Sequence, residues 1–484
     1  MGYAIIGIAL LLFVQANNVF PQLLLVRIIF SIGAAATSTM VTAILPSIIA
    51  ASTKHDEADA IATQPPLSNG HETAPSITSD LTITPHRIEN RFDQQSSSKE
   101  SSPTRLAGIV GLFTGCGALL ALGLFLRLPE LIQRTGVEAG QALMDSYYIV
   151  GALSLTLCFI CYVGLWGLTG EDGKSWQALV HRGAGEKNSG APRGFSSFES
   201  LLQSIQLGFQ SPLLGLAYIG GFVARASSVG ISLFIPLFVN AYYISSGRCD
   251  ETGRDPQEMK ERCRGAYVLA AELTGVSQLV ALIFAPIFGY LADRHRQFNA
   301  PLHSAALVGI LGYLGLATLN SPEPNGQEGS LWVFVIMALL GISQIGAIVC
   351  SLGLLGRCVL GLDVETDLVK SNSTEASPNV QSHSTFNSDL ASTLDHQPVE
   401  INEDTAEETP LLPSKSRSRD HLKGSIAGVY SLTGGVGILI LTKLGGLMFD
   451  KVSVVAPFYM LAIFNGLLFL IGMVLEISRI LRRK

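Results

Sequence analysis

Arg225 lies in the middle of an apolar run, Leu213 to Tyr243, that is long enough to cross a bilayer. A guanidinium keeps its charge, and placing it mid-membrane costs at least about 3 kcal/mol by insertion scales. Chains retain such a group where it faces water, an ion or a solute on its way through. The following span carries Glu272 and Gln278, and a later one carries Gln344. A cation, a carboxylate and two amides suit the holding of a polar solute. Counting helical rise, Arg225 and Glu272 stand roughly 13 Å apart in depth, as at opposite ends of a cavity. No nucleophile, base and orienting group share a plausible site, so an enzyme is not expected, nor a cofactor.

The elements that position these groups are set by composition. Apolar residues make up 48% of the 484 and charged residues only 14%, against about 25% charged in a soluble domain. Runs of about 20 apolar residues read as helices that cross the bilayer. Ten are read: 2–14, 22–50, 106–126, 147–168, 213–243, 266–290, 302–319, 331–355, 424–446 and 458–477. The first is short for a span. Lipid leaves exposed backbone amides unpaired, so the fold class is an all-α membrane protein. Placing Arg479, Arg482, Arg483 and Lys484 in the cytosol puts most of the 32 Lys and Arg on that side. The outer loop 245–265, with five basic residues balanced by acids, is the exception.

Several motifs are weighed and set aside. Cys158 and Cys161 form a C-x-x-C inside a span, with no second pair at zinc spacing, so no metal site is expected. Gly173-Lys174-Ser175 resembles the end of a phosphate loop, but Leu168 stands where its first Gly belongs. Nothing suggests nucleic-acid binding. Met1 opens on an apolar run without a basic region or cleavage site, so a cleaved signal peptide is not expected. Cys249 and Cys263 bracket a polar loop and can form a disulfide if that loop faces an oxidising lumen.

Two long polar segments fall on the cytosolic side, 52–104 and 362–422. Neither buries enough apolar area to offset chain entropy, so both are expected to be disordered. Their Ser and Thr residues make kinases candidate partners. Glu407, Leu411 and Leu412 form E-x-x-x-L-L, which resembles the acidic dileucine signal read by sorting adaptors. That signal favours the vacuolar membrane over the plasma membrane.

Ala107 to Leu119 reads AGIVGLFTGCGAL and Ala427 to Leu439 reads AGVYSLTGGVGIL. Ala107, Gly108, Leu112, Gly115, Gly117 and Leu119 match Ala427, Gly428, Leu432, Gly435, Gly437 and Leu439 without a gap. Each copy opens a span just after one of the long cytosolic loops. Such a parallel repeat resembles the two six-helix halves of the major facilitator superfamily. If Leu106 opens helix five and Gly424 helix eleven, the chain holds helices three to twelve of a two-half bundle. By that resemblance it is an N-terminally truncated, fungal-type member lacking its first two helices. The domains are then 1–168 (helices three to six), a central cytosolic loop 169–212, and 213–484 (helices seven to twelve).

Gly289, Leu291, Asp293 and Arg294 in GYLADRHR resemble the superfamily's cytosolic signature. The resemblance implies that Asp293 caps the next helix and Arg294 serves a latch that holds the cytosol-closed state. Arg27, Gly33 and Ala34 resemble its helix-four pattern, which is linked to proton coupling, with Phe30 and Ser31 departing from it. Gly111, Gly115 and Gly117 echo the helix-five antiporter signature, but Cys116 replaces its Pro. The reading is a transporter moving a small solute by alternating access, with protons as a possible coupled ion. The alternative is a non-transporting sensor or scaffold that signals through its cytosolic loops.

Overall fold

The computed structural model describes residues 1–16, 19–62, 103–125, 127–164, 197–247, 264–295, 299–319, 321–324, 330–360 and 422–483. All regular structure among them is helical. The first helices are α1 (Gly2–Gln15), α2 (Leu24–Ala62), α3 (Pro103–Leu120), α4 (Leu128–Gln133) and α5 (Ala139–Gly164). Then come α6 (Ser197–Gln210), α7 (Pro212–Val229), α8 (Ile235–Ser245), α9 (Arg264–Arg294) and α10 (Ala300–Ala317). The chain closes with α11 (Trp332–Leu360), α12 (Lys423–Ile440), α13 (Gly446–Lys451) and α14 (Ala456–Arg483). Among the described residues, nine helical stretches are long and apolar enough to cross a membrane. α1, at 14 residues, is too short by that measure; at 1.5 Å per residue it reaches about 21 Å.

Irregular turns break three spans at definable places. α7 passes into α8 through a wide π-type turn, Gly230–Phe234. Pro236 follows it, and proline has no N–H and crowds the carbonyl four residues back, so one turn must widen. The repeat read in the sequence is also a repeat in winding. α3 ends in the π-type turn Ala121–Phe125 and α12 in Leu441–Gly445. Helix starts, helix ends and wide turns all keep the 320-residue offset that relates Ala107 to Ala427.

Both buried apolar clusters lie mainly in residues 213–484. One gathers Leu216, Ala285, Ala305, Val349 and Tyr430; the other gathers Phe234, Leu273, Tyr313, Met337 and Phe458. α3 joins the first cluster through Ala107, packing on α9 and α11. α1 packs on both α2 and α5, and α2 reaches across to α11 and α12. Their outward faces, including Leu25, Ile28, Phe159 and Ile160, are exposed and apolar, as for helices that meet lipid.

Two expectations are corrected. α2 continues to Ala62, so 52–62, the start of the expected disordered loop, are helical; that stretch (STKHDEADAIA) holds three Ala and has no Gly or Pro to stop the helix. The central loop holds α6, a 14-residue amphipathic helix that packs on α7 and α12. Residues 63–102 and 361–421 lie outside the described residues, and so do Cys249, Cys263, Glu407, Leu411 and Leu412.

Candidate functional site

Arg225 is on α7, and its Nη2 donates to the Ser38 hydroxyl on α2 at 2.7 Å. It therefore ties a helix near the N-terminus to one in the middle of the chain. α7 meets α12 in a reciprocal fit at this level. The Tyr430 ring fills the place where a Cβ on Gly221 would stand (2.5 Å), and Arg225 Cγ fills that of Gly434 (2.7 Å). Only glycine at both positions lets an aromatic ring and a guanidinium stem pass between closely packed helices. The Tyr430 hydroxyl shares a 2.9 Å hydrogen bond with Ser351 on α11. The Arg225 side chain stays exposed, and among the described residues no carboxylate lies within ion-pair reach of it.

A second polar seam starts one turn further along α7. Ser228 accepts a 3.0 Å hydrogen bond from Gln344 Nε2 on α11, and Gln344 Oε1 accepts a longer one, 3.5 Å, from Gln278 on α9. Gln278 and Gln344 thus meet across α9 and α11, and Arg225 lies one turn along α7 from their partner Ser228. Interhelical bonds of this kind contribute about 0.6 kcal/mol each in lipid. The seam is too weak to hold the bundle, but it fixes where the amides point.

Glu272 stands apart. It is exposed, and among the described residues it has no hydrogen-bond or ion partner. It is 21 residues from Asp293 on α9, about 31 Å along the axis, which is the thickness of the hydrocarbon layer. Glu272 thus lies toward the opposite end of α9 from Asp293, beyond Gln278.

At the Asp293 end, α3 and α9 cross almost backbone to backbone. A Cβ on Gly289 would lie 2.9 Å from Gly108 Cα and 3.1 Å from the Thr104 carbonyl oxygen. Beside the crossing, Asp293 Oδ2 accepts from Arg105 Nε at 2.8 Å. Arg105 thus pairs with Asp293, while Arg294 Nη1 donates to the Tyr290 hydroxyl at 3.4 Å. Asn299, just before α10, makes no side-chain cap bond.

In the helix-four segment, Gly33 admits α1: its Cβ position lies 2.9 Å from Ile6 N. Arg27 is exposed and sits 5.7 Å from the Phe30 ring centroid. Among the described residues, no three His, Cys, Asp or Glu side chains cluster as a metal site would need.

The family model of the Major Facilitator Superfamily matches residues 96–359, more than half of the chain. The chain belongs to that superfamily. Among curated proteins, none matches the chain. The matched stretch of this facilitator holds α3, α9 and α11 with their glycine crossing, as well as Arg225, Gln278 and Gln344. It is an integral, multi-pass membrane protein of a transporter family. Sequence reasoning on this facilitator missed Ser38, Tyr430, Ser351, Ser228 and Arg105. The first four are small or neutral polar residues in apolar runs, and only knowledge of which helix faces meet would have singled them out.

Proposed function

We propose that this facilitator moves a small anionic solute by alternating access, with Arg225 as the group that holds the anion. The observation behind this is an exposed guanidinium, deep in a span, that among the described residues has one hydroxyl partner and no carboxylate. Five N–H donors in a rigid fork fit a carboxylate or phosphate in two-point contact. Gln278, Gln344 and Ser228 supply neutral donors and acceptors nearby, enough to orient a solute without cancelling the charge.

Arg105 and Asp293 form the clasp of the cytosol-closed state. The arginine is more than half exposed, and such pairs contribute only about 0–1 kcal/mol. A clasp that must open in every cycle suits that weakness. Glu272 is the group assigned to proton coupling, because it is exposed and unpaired among the described residues. The test is uptake into vesicles holding the purified chain, with a panel of radiolabelled organic and inorganic anions. Uptake of at least one anion above empty vesicles is expected, and a pH gradient should accelerate it. Flux that ignores the gradient removes the proton; no flux of any anion removes the function.

Glu407, Leu411 and Leu412 are proposed as a sorting signal that directs the protein to the vacuolar membrane. Changing both leucines to alanine is expected to move a fluorescent fusion to the plasma membrane. Retention of that variant in the internal organelle would discard the signal.

A further inference from the structure

α6 carries three kinds of surface, and their order around the helix is informative. At about 100° per residue, Leu201, Ser204 and Gly208 fall on one side and are turned to the protein. There, Ser204 O accepts from the Tyr218 hydroxyl at 3.3 Å, and the Tyr218 ring lies against Gly208. The outward half divides in two. Leu202 and Phe209 form one edge, exposed at 49% and 87%. Glu199, Gln206 and Gln210 form the neighbouring edge and are exposed as well. Apolar exposure is thus confined to one edge, between the protein contact and the polar edge.

The helix also leaves the α7 axis abruptly. Ser211 is extended (φ −102°, ψ 104°), and Pro212 starts α7. A Cβ on Gly215 would lie 2.7 Å from the Gly208 carbonyl oxygen, although seven residues of straight helix would separate the two by about 10 Å. α6 is therefore folded sharply against the start of a membrane span. Phe209 lies three residues before that start, at the level of the membrane surface. By alternation of the spans, this is the surface that also carries Arg105 and Asp293.

We propose that α6 lies in the plane of this membrane surface, with Leu202 and Phe209 in the acyl boundary of the lipid and Glu199, Gln206 and Gln210 in water. α6 rests on α12, which itself exposes the apolar Leu432 and Val436. An in-plane amphipathic helix reaches about 5–10 Å below the headgroups. Basic residues usually strengthen such attachment to anionic lipid, but α6 has none and carries Glu199. Its attachment therefore depends on apolar contact and not on lipid charge.

Tryptophan placed on each edge of the full chain in phosphatidylcholine vesicles tests this, with the chain's own three tryptophans as background. For Phe209→Trp, the added fluorescence is expected to fall by at least half with lipid brominated near the headgroup, and to resist aqueous iodide. Gln210→Trp is expected to respond the opposite way. Adding anionic lipid should change neither result. If iodide quenches both, the helix is held in water; if neither quencher reaches the tryptophan at 209, protein covers it. Either result overturns the placement. Should Phe209→Trp fail to assemble, Leu202→Trp reads the same edge.

Discussion

Arg225→Ala is expected to bring anion uptake down to the level of empty vesicles while leaving the protein folded. The two halves of that expectation rest on different quantities. A charge-assisted hydrogen bond contributes about 1.5–3 kcal/mol, so losing the fork on an anion costs on the order of 10- to 150-fold in affinity per bond. The fold loses little. The guanidinium is exposed, its one bond among the described residues is to Ser38, and such a bond in lipid contributes about 0.6 kcal/mol. Arg225→Lys keeps the charge but loses the planar fork, and should fall between, at roughly a tenth of normal uptake. Uptake per reconstituted molecule, read beside the thermal midpoint in detergent, checks both halves. Normal uptake in Arg225→Ala would refute the anion assignment. Lost uptake with a collapsed midpoint would make the arginine a structural group.

The second large effect belongs to the crossing of α3 and α9. Gly289→Leu puts a Cβ 2.9 Å from Gly108 Cα and 3.1 Å from the Thr104 carbonyl oxygen. Both obstacles are backbone, so neither can rotate away. Overpacking of this sort costs about 1–3 kcal/mol, and here it is relieved by spreading the helix ends that carry Arg105 and Asp293. Transport is expected to stop, and cysteines placed at 105 and 293 should cross-link less readily with a short bifunctional reagent when Gly289→Leu is added. Gly117→Leu is the control. Among the described residues nothing stands within 4 Å of its Cβ position, and transport should continue. A Gly289→Leu variant that transports and cross-links normally would mean that the crossing is not a working contact.

The legibility of this molecule in its sequence followed the strength of each signal against an apolar background. Arg225, Gln278 and Gln344 stood out because a charge or an amide in a 20-residue apolar run is costly. The contacts among them also depend on the register of α7, α9 and α11, which no single run reveals. Glu272 was expected roughly 13 Å from Arg225 in depth, a separation that helical rise alone gives; its exposure could not be read from the run. Arg105 follows a Ser-rich stretch and carries no motif that marks it out, so Asp293 was expected to cap the next helix and Arg294 to serve the latch. The amphipathic period of α6 was present in SFESLLQSIQLGF. It was passed over because the surrounding residues had been classed as a loop by their lack of a long apolar run.

The wide turns that close α3 and α12 share their place in the duplicated unit but almost none of their chemistry. Ala121–Phe125 reads ALGLF and Leu441–Gly445 reads LTKLG, with Leu124 and Leu444 the one match. Descent of the two copies from one founding half offers an account: that half already wound loosely at this point, and its descendants changed the side chains while keeping the loosened peptide geometry. A feature inherited as shape and not as spelling will be invisible to any comparison of letters. Locating it in other kin of this chain requires coordinates.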